Sequence, residues 1–267
     1  MRVLPGKNTF NLVEYVPLEQ YLYGVLPYEM HPTWALEALK AQAVAARTYT
    51  LKSIAKKANE PFDLYADVRS QMYKGAGNVY DNVKKAVDQT RGEVLTYQGE
   101  LFFTYYHANC GGGTDHVHIW NPKAPDIKPL SGNSCKFDAH SKSYTFKQDI
   151  AKSTAEKFAK SQGLKGSLKS IKIAKKTSSG RAVNLTLKTS NGSKTVSCAN
   201  FRAATLIRSC KLTKITTGST KIHVEGHGYG HGIGMCQDGA HGMAKQNYTY
   251  KQILKHYYPG STLSQVR

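Results

Sequence analysis

The chain has 267 residues, 40% of them hydrophobic, which is enough for one large domain, or one domain carrying an insertion, to bury a core. Its 37 basic and 18 acidic side chains leave a formal charge of +19, a balance that calls for an acidic partner. The lysines are scattered and no nucleic-acid motif accompanies them, which argues against nucleic acid. No run of about 18 apolar residues is present, which excludes a membrane-spanning helix.

In chain order, Asn8 to Val16 alternates as a strand does. Pro17 suits the first turn of a short helix through about Val25, and Pro32 does the same for a long helix to about Lys57. In that helix Leu36, Leu39, Ala43, Ala46 and Thr50 share one face at 3-4 spacing, the expected core face, and Arg47 stands out among small residues. Asn78 to Thr90 predicts a helix with Val79, Val83, Ala86 and Val87 inward. Glu93 to Tyr97 and Leu101 to Tyr106 predict paired strands around Gln98-Gly99-Glu100, which lead into a long loop with three consecutive glycines. From Ser141 to Leu212 the composition shifts to Lys, Ser and Thr. That stretch predicts a helix from Lys147 to Lys160 and strands at Leu168 to Lys175, Arg181 to Lys188 and Thr195 to Cys198, the last after a turn at Ser190-Asn191-Gly192-Ser193. Strands then flank Thr217-Gly218-Ser219, and helices follow near Gln237 to Gln246 and Thr249 to Tyr257. The pattern is that of an α+β protein: a mixed α/β core at 1–140 and 213–267 with a long N-terminal helix, and an inserted α+β subdomain at 141–212 forming one wall of a groove.

Glu29 follows Tyr21, Leu22, Tyr23, Val25, Leu26, Pro27 and Tyr28 and precedes Met30 and Trp34, at the mouth of the long helix. A carboxylate partly withdrawn from water holds its proton better, which is the property of a general acid near neutral pH. A solvated Glu, or one that favours a helix N-terminus, is the alternative. Gln71 and Tyr73 alternate on an extended segment and point the same way. Gly226 to Gly234 has glycine at every second position, so backbone can approach a ligand there, and His227 and His231 are either metal ligands, a catalytic pair or parts of a tight turn.

The five cysteines are Cys110, Cys135, Cys198, Cys210 and Cys236. Cys198 and Cys210 flank a short predicted helix and suit a bridge in an oxidising compartment. His107-x-x-Cys110 and Cys135-x-x-x-x-His140 together offer a Cys2His2 zinc set, with His116 and His118 as alternative ligands. A Cys110–Cys135 disulfide and two free thiols are the other options.

The segment Tyr21 to Met30, with Glu37-Ala38-Leu39-Lys40-Ala41-Gln42-Ala43-Val44-Ala45-Ala46-Arg47-Thr48-Tyr49, resembles the stage II sporulation protein D (SpoIID) family. So do Ser70-Gln71-Met72-Tyr73-Lys74-Gly75, Tyr106-His107-Ala108-Asn109-Cys110-Gly111-Gly112, the run Gly226 to Gln237, and its continuation through Ala240, Met243-Ala244 and His256 to Gly260. The resemblance covers most of the chain in order.

It implies a lytic transglycosylase that cleaves peptidoglycan between N-acetylmuramic acid and N-acetylglucosamine, without water, to a 1,6-anhydro product. Its acid would be Glu29. Arg47 would clamp the glycan or Glu29 itself. Gln71, Tyr73, Tyr106, His107, His227, His231 and Gln237 would contact substrate, with the glycine-rich run beside Glu29 as groove floor. Cys236 stands where the family usually has Ser and reads as a small packing residue. The chemistry would require no cofactor, and zinc in some relatives makes a structural zinc an option here. Hydrolysing glycosidases use two carboxylates, whereas the motif around Glu29 offers one. The substrate would be glycan stripped of stem peptides by an N-acetylmuramoyl-L-alanine amidase, the expected partner. Each denuded disaccharide carries one lactyl carboxylate, which accounts for the basic charge.

The resemblance places the chain outside the cytoplasmic membrane, trimmed past a targeting segment. Met1 would then be a cloning artefact, and any membrane contact would come only through a missing anchor. Met1-Arg2-Val3-Leu4-Pro5-Gly6 itself lacks the apolar core of a signal peptide. Some relatives are amidase enhancers without the activity, so a non-catalytic wall-binding protein is the alternative. A zinc hydrolase using His227 and His231 is a third reading.

Overall fold

A computed structural model describes residues 1–6, 9–56, 61–67, 69–75, 77 and 79–266. In chain order the elements are β1 (Arg2–Pro5), β2 (Phe10–Val13), α1 (Leu18–Glu29), α2 (Leu36–Lys56), α3 (Asp81–Asp88), β3 (Glu93–Tyr97), β4 (Glu100–Leu101), β5 (Tyr106–His107) and β6 (Thr145–Ala151). Then come α4 (Lys152–Ser161), β7 (Leu168–Lys176), β8 (Ala182–Thr189), β9 (Gly192–Ser197), α5 (Cys198–Thr205), β10 (Lys211–Thr217), β11 (Lys221–His227), β12 (Met235–Cys236), α6 (Gln237–Lys245), α7 (Tyr250–Tyr257) and β13 (Thr262–Gln265). Helices and small, mostly antiparallel sheets make this an α+β fold. The expected element ends at Asn8, Lys57 and Asn78 lie outside the described residues.

Contacts group the chain into two compact units. The first is Met1–Tyr105, Ala244–Lys255 and Gly260–Arg267. Its core gathers Tyr21, Leu22, Val25 and Leu26 of α1, Ala43 and Ala46 of α2, and Val83 and Val87 of α3. β3 pairs with β4 on one side and β13 on the other. α2 buries not one face but nearly its whole circumference, since Ala38, Ala41, Val44, Ala45, Arg47 and Thr48 are buried along with Leu39, Ala43, Ala46 and Thr50 of the expected face, of which Leu36 is half-buried. Its alanines allow neighbours to approach from all sides. α1 runs on through Pro27 to Glu29 rather than stopping near Val25. α2 begins at Leu36, after a turn, rather than at Pro32.

The second unit is Tyr106–Met243 and His256–Pro259. Two antiparallel sheets, β10-β11-β6 and β7-β8-β9, close over α4 and α5 around Phe146, Ile150, Phe158, Leu185, Phe201, Leu212 and Val224. Residues 141–212 thus share one core with strands on the far side of Leu212. The expected helix from Lys147 is half strand: Thr145–Ala151 pairs with β11 along its length, burying Phe146 and Ile150, and only then does α4 begin. Lys-Gln-Asp-Ile-Ala suits a helix locally, so the sheet partner decides. The expected partner strand of β3 is also shorter. β4 ends at Leu101, and Tyr106–His107 pairs parallel with β12 instead.

Candidate functional site

In the first unit, Glu29 is the last residue of α1 and is half-buried. It therefore lies at a helix C-terminus, where the peptide dipoles disfavour negative charge, and not at the N-terminus of the long helix. The Met72 amide donates to Glu29 Oε1 at 3.0 Å. The residues flanking Met72 explain how that donor is placed. Gln71 is buried and donates to Thr50 Oγ1 at 2.7 Å and, more weakly, to the Tyr21 hydroxyl at 3.4 Å. Tyr73 stacks on Tyr21, ring centroids 5.0 Å apart, and donates to Glu14 at 3.0 Å. Gln71 and Tyr73 thus point the same way, toward Tyr21, while the amide between them faces Glu29.

This close approach depends on Gly24. A Cβ there would meet the Tyr73 ring at 2.5 Å and the Gly75 carbonyl at 2.7 Å. Burial, with the nearby Glu29 charge as a smaller contribution, raises the Tyr21 and Tyr49 hydroxyls above the ordinary phenol range. Tyr73 is pushed up to about 12 by burial and by Glu14. Tyr21 and Tyr49 thus lie close enough to Glu29 to feel its charge, while the Tyr73 hydroxyl is taken up by Glu14.

Arg47 takes no part in this arrangement. It is fully buried and held bidentately by Glu19, Nε at 2.9 Å and Nη2 at 2.7 Å, with further bonds to the Glu93 and Val87 carbonyls. An exposed clamp for a ligand or for Glu29 is replaced by a core ion pair. Glu37 accepts from Lys40 and from the Tyr250 amide, a structural role.

The second unit gathers Tyr106, His107, His227, His231 and Gln237. His107 is buried, with Nδ1 3.1 Å from the Ile233 carbonyl. His231 accepts the Ile233 amide at 3.0 Å and lies between Trp120, stacked at 4.9 Å, and His107 at 5.2 Å. Burial, reinforced by nearby arginines, pushes His231 down to about 3, and burial also lowers His107, so both rings are neutral at pH 7. His227 packs on Tyr144. Gln237 is buried at the start of α6. The positive φ at Gly228, Gly230, Gly232 and Gly234 explains the alternating glycines. Gly232 lies directly against the Arg181 guanidinium, itself buried and paired with Asp115 at 2.8 Å.

The expected zinc set divides. His140 is exposed, and the His107 ring is bonded to Ile233. Cys110 and Cys135 gather instead with Asp138 and Cys236, all four buried and their ligand atoms within 4.8 Å of one another. Burial pushes the Cys110 and Cys236 thiols up, while their hydrogen bonds hold Cys135 down. His116 and His118 group separately with Asp126, and their bonds to Asp126 and the Ala124 carbonyl occupy them. Cys198 and Cys210 form a disulfide. Asp138, Asp115 and Trp120 escaped the sequence reading because no local pattern marks them.

Residues 6–97 match the SpoIID family, described as stage II sporulation protein. A stage II sporulation protein D of Bacillus subtilis (strain 168) is 30% identical over 283 residues, spanning 98% of this chain and 79% of the relative. The chain belongs to the SpoIID family. An uncharacterized protein of Brachyspira hyodysenteriae is 37% identical, over 96% of this chain and 69% of its own. An amidase enhancer of Bacillus subtilis is 33% identical, over 91% of this chain but only 40% of the relative. The part of the chain that matches the SpoIID family description contains Glu29, Gln71 and Tyr73, the residues that gather at the end of α1.

Proposed function

We propose that the chain is a peptidoglycan lytic transglycosylase acting on denuded glycan, with Glu29 as its single acid and base. The observation that carries this reading is the half-buried Glu29 carboxyl at the end of α1, oriented by the Met72 amide near Tyr21 and Tyr49. The protonated carboxyl gives its proton to the bridging oxygen as the bond from C1 of the muramic acid to that oxygen breaks. The resulting carboxylate then takes the proton of the C6 hydroxyl as O6 bonds to C1. One group serves both steps because the nucleophile belongs to the substrate, so no second carboxylate activates water. The partner is an amidase that removes the stem peptides, and the site of action is extracytoplasmic. The Cys198–Cys210 bridge fits that location. Among the described residues no helix is long and apolar enough to cross a membrane.

Digestion of denuded strands followed by mass analysis tests the reaction. Anhydro ends are expected from the wild type, and their loss by roughly 10²–10⁴-fold from Glu29→Gln, with folding and glycan binding retained. Reducing ends from the wild type would mean hydrolysis instead. The 33% identical amidase enhancer keeps a second reading in view, a wall-binding protein that stimulates an amidase. Binding without cleavage by the wild type would favour that reading.

A further inference from the structure

We propose that Cys110, Cys135, Cys236 and Asp138 hold a closed structural zinc ion. The four come from distant parts of the chain: the loop after β5, the end of the long loop before β6, and β12. Their ligand atoms already lie within 4.8 Å of one another, with all four residues buried. A tetrahedral zinc with Zn–S of about 2.3 Å sets sulfur atoms roughly 3.8 Å apart, so a small contraction completes the site.

The surroundings supply hydrogen-bonding groups to the sulfur atoms. The Cys110 and Gly239 amides donate to Cys236 Sγ at 3.2 and 3.3 Å, and the Tyr257 hydroxyl lies 3.1 Å from Cys135 Sγ. Such outer donors orient and stabilise metal-bound sulfur. Asp138 Oδ2 accepts the Gly112 amide at 3.2 Å, while its buried Oδ1 has no hydrogen-bond partner. A buried carboxylate oxygen without a partner is costly, and a metal ion removes that cost. Gly239 leaves the room: a Cβ there would fall on the Tyr257 hydroxyl and 2.8 Å from Cys135 Sγ.

The donor set selects the metal. Three thiolates and one carboxylate suit zinc, and exclude calcium and magnesium, which prefer oxygen. Redox context points the same way. The Cys198–Cys210 disulfide marks an oxidising compartment, in which three clustered thiols would oxidise unless a metal held them. The ion would anchor a long loop whose own regular structure is two three-residue helical turns and an isolated bridge between Gly113 and Ser134. The site rests on these residues alone and stands whether or not the chain cleaves glycan.

Elemental analysis of the full chain, purified without chelator and reconstituted with zinc, tests it. About one zinc per chain is expected, as for other four-ligand structural sites. Thiol counting under denaturation with chelator should give three thiols, those of Cys110, Cys135 and Cys236. In the native protein they should be unreactive until chelator is added. Cobalt(II) in place of zinc should show thiolate-to-cobalt charge transfer and the intense visible bands of a tetrahedral ion. Asp138→Asn and Cys236→Ser should each lower metal content and weaken retention against chelator. Zinc-free wild type after reconstitution overturns the proposal, whether three thiols are found (packing alone) or one (a disulfide among the three). Undiminished zinc in both variants would overturn the ligand assignment, and the wild-type measurements decide the matter even if a variant fails to fold.

Discussion

Arg47 shows how a single residue can be misread when its partner is remote. In the sequence it is a lone cation among alanines, and family resemblance makes it a clamp for the glycan or for Glu29. In the structure Glu19, 28 positions earlier, accepts from Nε and Nη2 along one edge of the guanidinium, and the Gly92 amide also donates to Glu19. Neither residue announces the other, because their proximity is created by the packing of α1 on α2. Removing one member of a buried pair leaves the other charge uncompensated. Arg47→Ala should therefore lower stability by roughly 3–5 kcal/mol, read as a shift in urea midpoint. Replacing both residues, as Arg47→Met with Glu19→Leu, should recover much of that loss. A cost below about 1 kcal/mol for Arg47→Ala would mean that the pair behaves as a surface contact.

At the scale of elements, the helical N-terminal part, the β7 to β9 strands and the Cys198–Cys210 bridge were legible, because local period, turn signals and spacing carry them. The strand at Thr145–Ala151 was not, since its helix-compatible residues are committed by pairing with β11. The site divides in the same way. The carboxylate, Gln71, Tyr73 and the glycine-rich run are marked by motif and period. Asp138 and Cys236 join Cys110 only through contacts spanning 28 and 126 positions.

The way the 71–75 segment lies on α1 carries a prediction of its own. Gly24 is the point of contact, so Gly24→Ala must push Tyr73 or the Gly75 carbonyl away and carry the Met72 amide off Glu29. Helix content should be preserved, because alanine is the better helix former. Cleavage should fall by roughly 10²-fold, the cost of about 1 Å of misplacement in a catalytic group. Wild-type cleavage rates in a folded Gly24→Ala protein would show that the amide is not needed to position Glu29.

For the whole molecule the dominant quantity is the charge of +19, and with Arg47 buried the cations that would meet the acidic strand of the proposed function must be sought on the surface. Lys74 is a specific one. It is exposed, two residues from the amide that orients Glu29, and its ammonium lies 4.9 Å from the Tyr28 ring centroid. An ammonium beside an aromatic face matches what a denuded strand offers, a sugar surface with a lactyl carboxylate on each disaccharide. Stem peptides mask that carboxylate in intact wall, so the attraction should discriminate between the two substrates. Surface charges act through solvent and are screened over about 8 Å at physiological ionic strength, which makes the discrimination dependent on salt. Rates on denuded and intact strands, measured across a salt series, should therefore show a preference for denuded glycan that narrows as salt rises. Lys74→Glu should reduce the preference at low salt and leave rates at high salt nearly unchanged. Equal rates on both substrates at low salt would remove the lactyl carboxylate from the account. A preference that persists undiminished at high salt would assign it to the shape of the strand instead of its charge.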